Sequence, residues 1–330
     1  MKKVFKWIGI IALTIIIGIG IYIFSIRERL VLYKNIGEKY IQIAKDPSVI
    51  NSNEDLNAIE SMDYKDLEYK NINGVSQTLD IYGPKKEIKG GSPVILYVHG
   101  GSWVYGDKSI PDVISPVLDA FREQGFTIIS TSYELMRGEE IFEKQISDVK
   151  DTIRWIHKNK DVYGFNTKEI GVIGTSSGAH LALMATYTDD NEFIGDSELA
   201  SSSSKVKYVV DFFGPTDLNT LDLSDAGWDI KQVLKSTEVK SETKEIMNIY
   251  SPINYVDKDM PKTLIIHSKA DKVVPYDNSI ILYNKLKDTG NKVEMLTLET
   301  SNHDLSGLNS EEGLKVAIKM LRFIVKNSPL

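Results

Sequence analysis

A chain of 330 residues with a net charge of −7 is long enough for one large α/β domain with additions, and its acidic balance, without a basic patch, argues against nucleic-acid binding. It contains no cysteine. Disulfides, Cys-ligated zinc and a thiol nucleophile are excluded together, so covalent chemistry must run through oxygen or nitrogen.

Lys2, Lys3 and Lys6 precede an uncharged run from Trp7 to Ile26 that is rich in Ile and Gly. At about 1.5 Å per residue, about 20 residues cross a hydrocarbon core of roughly 30 Å, so residues 1–27 are expected to form a transmembrane anchor. The run is longer than the roughly 7–15 apolar residues of a cleavable signal and ends in Tyr22-Ile23-Phe24-Ser25-Ile26, with no small-x-small cleavage site. Arg27, Arg29 and Lys34 balance the three lysines, so charge alone does not orient the span. A single N-terminal anchor usually exports the domain attached to it, which places the protein at the cell membrane with its domain outside.

Residues 28–70 are expected to hold a juxtamembrane helix, with Leu32, Ile36, Tyr40 and Ile43 at helical spacing, and then a polar lead from Asp46 to Glu60. From residue 71 to 330 the pattern alternates regularly. Strands are expected at Gln77–Tyr82, Val94–Val98, Phe126–Thr131, around Ile170, and at Val206–Phe213, Thr263–His267 and Lys292–Leu298. Helices are expected at Ile110–Glu123, Ile141–Asn159, Ala179–Tyr187, Asn278–Thr289 and Glu311–Lys326. Wholly apolar short strands alternating with helices imply a mostly parallel sheet covered on both faces, with ligands bound beyond the carboxyl ends of the strands.

The stretch Gly174-Thr175-Ser176-Ser177-Gly178 joins the Ile170 strand to a helix. So sharp a turn forces its central residue into a strained conformation and presents Ser176 at a helix N-terminus, where backbone N–H groups favour a developing oxyanion. A Ser-rich helix cap would put serine at the same place. A serine nucleophile needs a base, and the chain has five histidines. His157 lies within a helix, His180 is held by the helix beginning at the elbow, and His99 and His267 end buried strands. His303 lies in the polar loop Thr300-Ser301-Asn302-His303-Asp304 after the last strand, which makes it the expected base. The acid is expected at Asp271, in the turn after the Thr263–His267 strand, with Asp304 as its rival. His99-Gly100-Gly101-Ser102-Trp103 closes another strand, and its glycines allow backbone N–H groups to approach a substrate oxygen together with the N–H of Ser177. Trp103 either walls the acyl pocket or packs in the core.

Together these motifs resemble the α/β-hydrolase fold, in the esterase branch that includes hormone-sensitive-lipase-like carboxylesterases, feruloyl and acetyl-xylan esterases and kynurenine formamidases. The resemblance runs from about Gln77 to the C-terminus. It implies a carboxylic-ester hydrolase with Ser176 as nucleophile, Asp271 as acid, His303 as base, and the amides of Gly101, Ser102 and Ser177 as oxyanion hole. It implies no metal or organic cofactor, and a small-molecule or polysaccharide-linked ester as substrate. Glu134 stands in Ser132-Tyr133-Glu134-Leu135 where the family has arginine, and Ser268 follows His267 where glycine is common. Residues 217–259 lie where this fold often carries a lid, with Trp228, Ile230, Val233 and Leu234 as its apolar residues. The competing readings are an amide hydrolase using the same residues, and a binding protein on a silent hydrolase fold.

Overall fold

The computed structural model describes residues 62–112, 114–137, 141–221 and 240–328, with isolated positions 20, 27, 31, 34 and 38 upstream. The expected membrane anchor, the linker, and the lid residues Trp228, Ile230, Val233 and Leu234 lie outside the described residues. Among the described residues no helix is long and apolar enough to cross a membrane.

Among the described residues eight strands form one sheet: β1 (Tyr64–Ile72), β2 (Val75–Tyr82), β3 (Ser92–Val98), β4 (Thr127–Thr131), β5 (Phe165–Thr175), β6 (Tyr208–Phe212), β7 (Lys262–Ser268) and β8 (Val293–Leu298). Their order is β1-β2-β4-β3-β5-β6-β7-β8, and only the β1–β2 and β2–β4 pairings are antiparallel. The connecting helices are α1 (Ser115–Glu123), α2 (Phe142–Lys158), α3 (Lys160–Tyr163), α4 (Ser177–Tyr187), α5 (Lys240–Ile249), α6 (Asp277–Asp288) and α7 (Ser310–Asn327). This is an α/β-hydrolase-like architecture.

Every residue of β3 is buried, and successive side chains enter different cores. Val94, Leu96 and Val98 join α2, α4 and α6 on one face, whereas Ile95 and Tyr97 join α1 and α7 on the other. A strand covered on both faces needs apolar residues at every position, which is why β3 carries no alternation. Each fully buried aliphatic side chain contributes about 1.5–3 kcal/mol. α4 is buried on nearly its whole circumference, because it lies between the sheet and α2.

The sheet starts earlier than the expected domain boundary at residue 71. β1 pairs with β2 from Tyr64 onward, and its polar, largely exposed edge-strand sequence hides it from a search for apolar alternation. The helix expected from Ile110 begins only at Ser115, because Pro116 would fall in the interior of the longer helix, with no N–H to donate to residue 112, but is tolerated in the first turn. β5 reaches back to Phe165, and α4 begins at Ser177 rather than Ala179.

β1 is tied to α2 by a buried ionic cluster. Lys70 Nζ lies 2.7 Å from Asp148 Oδ1 and 2.9 Å from Asp151 Oδ2, and Asp151 Oδ1 accepts from Arg154 at 2.9 Å. None of the four side chains is more than 6% exposed.

Candidate active site

The turn from β5 to α4 places Ser176 at φ 51°, ψ −123°, a left-handed conformation that costs a non-glycine residue about 1–3 kcal/mol. Neighbouring contacts hold it there. Its N–H donates to Phe212 O at 2.9 Å and its carbonyl accepts from His180 N at 3.0 Å. The flanking glycines are required by close approach: a Cβ on Gly178 would fall 2.2 Å from His99 O, and one on Gly174 would fall 2.5 Å from Ala179 Cα.

Three chain segments meet above this turn. Ser176 Oγ lies 2.7 Å from His303 Nε2, and His303 Nδ1 lies 2.7 Å from Asp271 Oδ2. Asp271 is 1% exposed and accepts at Oδ1 from the amides of Val273 (2.8 Å) and Val274 (3.0 Å). Burial pushes its carboxyl upward, but hydrogen bonds from His267, His303 and the Val273 amide outweigh that and hold it well below the usual carboxylate range. Asp304, the rival acid, turns away to accept from the Ser306 amide at 2.9 Å. The loop bearing His303 is anchored at its start by Glu312, which accepts from Glu299 N and Thr300 Oγ1, both at 2.7 Å. Asn309 caps α7 by accepting from Glu312 N, so helix and loop brace each other.

The His99–Gly106 loop lies against the same turn. A Cβ on Gly100 would sit 2.9 Å from Thr175 O and 3.4 Å from Ser176 Cβ. Gly101 has φ +127°, and an added Cβ would fall 2.1 Å from Tyr105 O, so only glycine fits. The Gly101 carbonyl accepts from Val104 and Tyr105 amides at 3.1 and 2.8 Å, folding the loop on itself. Gly101, Ser102, Ser176 and His303 all line a cleft of about 400 Å³. Ser177 opens α4, where first-turn amides have no acceptor within their own helix. Pro111, Ile114, Phe213 and Leu305 form the apolar side of the cleft, with Asp107 and Asp304 among its polar residues.

Three other histidines, His99, His157 and His180, make their contacts elsewhere. His99 stacks on Tyr133 with ring centroids 4.3 Å apart and hydrogen-bonds Gly100 O through Nδ1 at 2.7 Å; burial pushes its imidazole down. His180 donates from Nε2 to Tyr250 O at 2.7 Å and accepts at Nδ1 from Trp103 Nε1 at 3.1 Å. Burial lowers its pKa to about 4, so it stays neutral. His157 sits half-buried in the last turn of α2. Trp103 is therefore corrected as a pocket residue: its ring is buried against Phe142 and His180, and its side chain belongs to the core supporting the loop.

Two contacts have no counterpart among the sequence expectations. Phe213 sets its ring edge-on to His303 with centroids 4.8 Å apart. His267, expected only to end a strand, reaches Asp271 Oδ2 through Nε2 at 3.1 Å. A His-x-x-x-Asp spacing at a strand end was the available signal.

Asp211, at the carboxyl end of β6 behind the elbow, accepts from Gly214 N at Oδ1, while its buried Oδ2 has no hydrogen-bond partner among the described residues. Burial raises its pKa from 3.8 to about 7. The folded state thus binds more protons than the unfolded chain between these values. This contribution to stability is therefore complete below about pH 4 and is lost as pH rises to about 7. Asp211→Asn is expected to flatten that slope and to raise stability at pH 8 by about 1–3 kcal/mol, as read from denaturant melts across pH. An unchanged slope would refute it.

A BD-FAE family profile matches residues 79–286. Esterase LipC of Mycobacterium tuberculosis is 26% identical over 231 residues, 69% of this chain and 57% of that protein. The probable carboxylic ester hydrolase LipM of the same organism is 25% identical over 260 residues, 77% of this chain and 59% of that protein. The chain thus spans less than two thirds of the length of these relatives. A solved structure described as a truncated form of carbohydrate esterase from gut microbiota superposes with TM-score 0.67 at 28% identity, covering 81% of this chain and 96% of that one. Thermogutta terrifontis esterase 2 with butyrate bound has TM-score 0.64 at 21% identity, over 81% of this chain and 96% of that one, and attests the fold alone.

Proposed function

From its place in the BD-FAE family, to which the chain belongs, we propose that this protein is a serine carboxylesterase acting on short-acyl esters of neutral alcohols. The observation that carries the reading is the hydrogen-bonded run Ser176–His303–Asp271 at a strained strand-to-helix turn. Ser176 Oγ attacks the ester carbonyl as His303 Nε2 takes its proton. Asp271 keeps the Nδ1–H tautomer and stabilises the imidazolium. The tetrahedral oxyanion is received by amides of Gly101, Ser102 and Ser177. His303 then protonates the leaving alcohol, and water repeats the sequence on the acyl-enzyme.

The short-acyl preference rests on the size of the cleft, about 400 Å³, and on its apolar side. The neutral alcohol rests on charge. Asp107 and Asp304 are held below the usual carboxylate range by hydrogen bonds from Ser109 and Ser306, and no Lys or Arg is among the described residues lining the cleft. The similarity to a carbohydrate esterase makes an acetylated sugar the leading substrate class. A fluorophosphonate probe should label Ser176 alone, read by peptide mass spectrometry. Purified protein should turn over acetyl and butyryl esters faster than arylformamides or peptides. Labelling elsewhere, or amide turnover above ester turnover, would reverse the reading.

Tethering to the cell membrane through residues 1–27, with the domain outside, belongs to the same proposal; its support is the uncharged run Trp7–Ile26. The full chain should sediment with membranes and be released by detergent but not by high salt, and release by salt would count against it.

A further inference from the structure

Asp271 receives two histidines on one oxygen. Oδ2 takes Nδ1 of His303 at 2.7 Å and Nε2 of His267 at 3.1 Å, while Oδ1 is tied to the Val273 and Val274 amides. Nε2 of His267 also faces the Val274 carbonyl at 3.2 Å. A carbonyl and a carboxylate only accept, so this nitrogen carries a proton. On the other side of the ring, Nδ1 lies 2.7 Å from Ser279 Oγ in the first turn of α6. In the neutral ring the Ser279 hydroxyl donates to Nδ1, which completes the tautomer. His267 is fully buried, and Tyr276 packs edge-on to its ring at 5.6 Å.

We propose that His267 is a positioning residue of the esterase reaction: its Nε2–H pins Asp271 Oδ2 in the plane that meets His303, and shares that oxygen's charge. This rests on the reading of Ser176, His303 and Asp271 as the reacting set. Two backbone amides alone would hold Oδ1 and leave Oδ2 free to swing. The third donor stops that swing. It has a second consequence, because a donor on Oδ2 makes the carboxylate a weaker acceptor for His303 Nδ1–H. Without His267 the imidazolium of His303 is held more tightly, and the base is spent over a wider range of acidic pH. Further titratable groups near this pair are Asp304, beside His303, and the Tyr276 phenol, which bonds Thr297 Oγ1 at 2.6 Å.

Asparagine and glutamine separate this role from a merely structural one. The shorter amide of His267→Asn would sit near the position of Nδ1, within reach of Ser279 but short of Asp271, whereas the amide of His267→Gln extends to the position of Nε2. In the full chain assayed with p-nitrophenyl acetate, His267→Asn should lower kcat roughly tenfold or more with KM little changed. The acid limb of kcat/KM should move up by about half a pH unit. His267→Gln should return the limb to the parent position. If the limb of His267→Asn coincides with that of the parent, or if Gln and Asn shift it equally, the assignment is overturned. Ser176→Ala, run beside them, keeps the two ideas apart. Activity surviving in Ser176→Ala sinks the esterase reading itself, whereas its loss with an unmoved limb in His267→Asn sinks only the role of His267.

Discussion

Ser176→Ala is expected to lower kcat for p-nitrophenyl acetate by about 10⁶-fold, with KM little changed. The substitution removes one oxygen. It also leaves His303 without the hydroxyl 2.7 Å from its Nε2, while the Asp271–His303 hydrogen bond and the loop carrying Gly101 and Ser102 remain in place. Residual catalysis of about 10³–10⁴ over water is expected from the amides and from substrate binding. Asp271→Asn should cost about 10⁴-fold, because an amide in place of the carboxylate no longer selects the Nδ1–H tautomer of His303. The smaller loss has a structural source, since the serine hydroxyl and the oxyanion amides survive it. Initial rates on protein purified free of contaminating host esterase, with a melting curve for each variant, check both numbers. Equal activity in parent and Ser176→Ala would remove the basis of the proposed reaction.

Lys70→Met should destabilise the domain by about 3–5 kcal/mol. The lysine is the cation between Asp148 and Asp151, and both carboxylates are at most 3% exposed. With it gone, Arg154 still pairs with Asp151 at 2.9 Å, but among the described residues Asp148 keeps only neutral partners such as the Glu134 amide at 2.8 Å. A buried charge left unpaired costs far more than a surface ion pair contributes. For a domain of this size the loss corresponds to a fall in Tm of about 10 °C. The residues proposed to react are borne by other elements, so kcat of the folded protein should hold. A Tm within about 2 °C of the parent would show that Asp148 is neutralised or rehydrated at little cost. Replacing Lys70 and Asp148 together, as Met and Leu, should recover much of the stability, because a well-packed apolar pair can equal a buried ion pair.

Stability and chemistry thus sit at separate parts of the sheet. The cluster around Lys70 locks the β1 edge to α2, whereas Ser176, Asp271 and His303 gather beyond the carboxyl ends of β5, β7 and β8, with three strands or more between. The elbow stores strain at Ser176, and the rigid contacts around it carry the cost. His180, Trp103 and Phe142 form the aromatic support on the core side of the His99–Gly106 loop, and of the three only Trp103 was a candidate for the site itself.

Much of the domain was legible from local pattern. β3 and β7 carry the apolar runs Val94–Val98 and Leu264–Ile266, and β6 is apolar apart from Asp211; short runs of this kind bounded by turn residues have few alternatives to a buried parallel strand. The elbow was legible because Gly174 and Gly178 obey a steric demand that involves near neighbours in the chain. The identities of Ser176, His303 and Asp271 came from each lying just past a strand, because a parallel sheet brings such positions to a common edge. β1 was not legible, since an exposed antiparallel edge needs no apolar alternation. Nor was the end of α1's expected N-terminal extension, which a single proline decided.

By itself, then, the amino-acid order determined the class of fold, the sharp strand-to-helix turn at Ser176 and the few side chains that could meet there, because those depend on hydrophobic period and local sterics. Only the tertiary structure decided whether Asp271 or Asp304 faces His303, that Trp103 turns into the core, and that His267 joins His303 on one carboxylate oxygen. Those outcomes turn on where loops from different strands point. A loop's direction is set by distant partners such as Glu312, Ser279 and the Val273–Val274 amides, which no local pattern records.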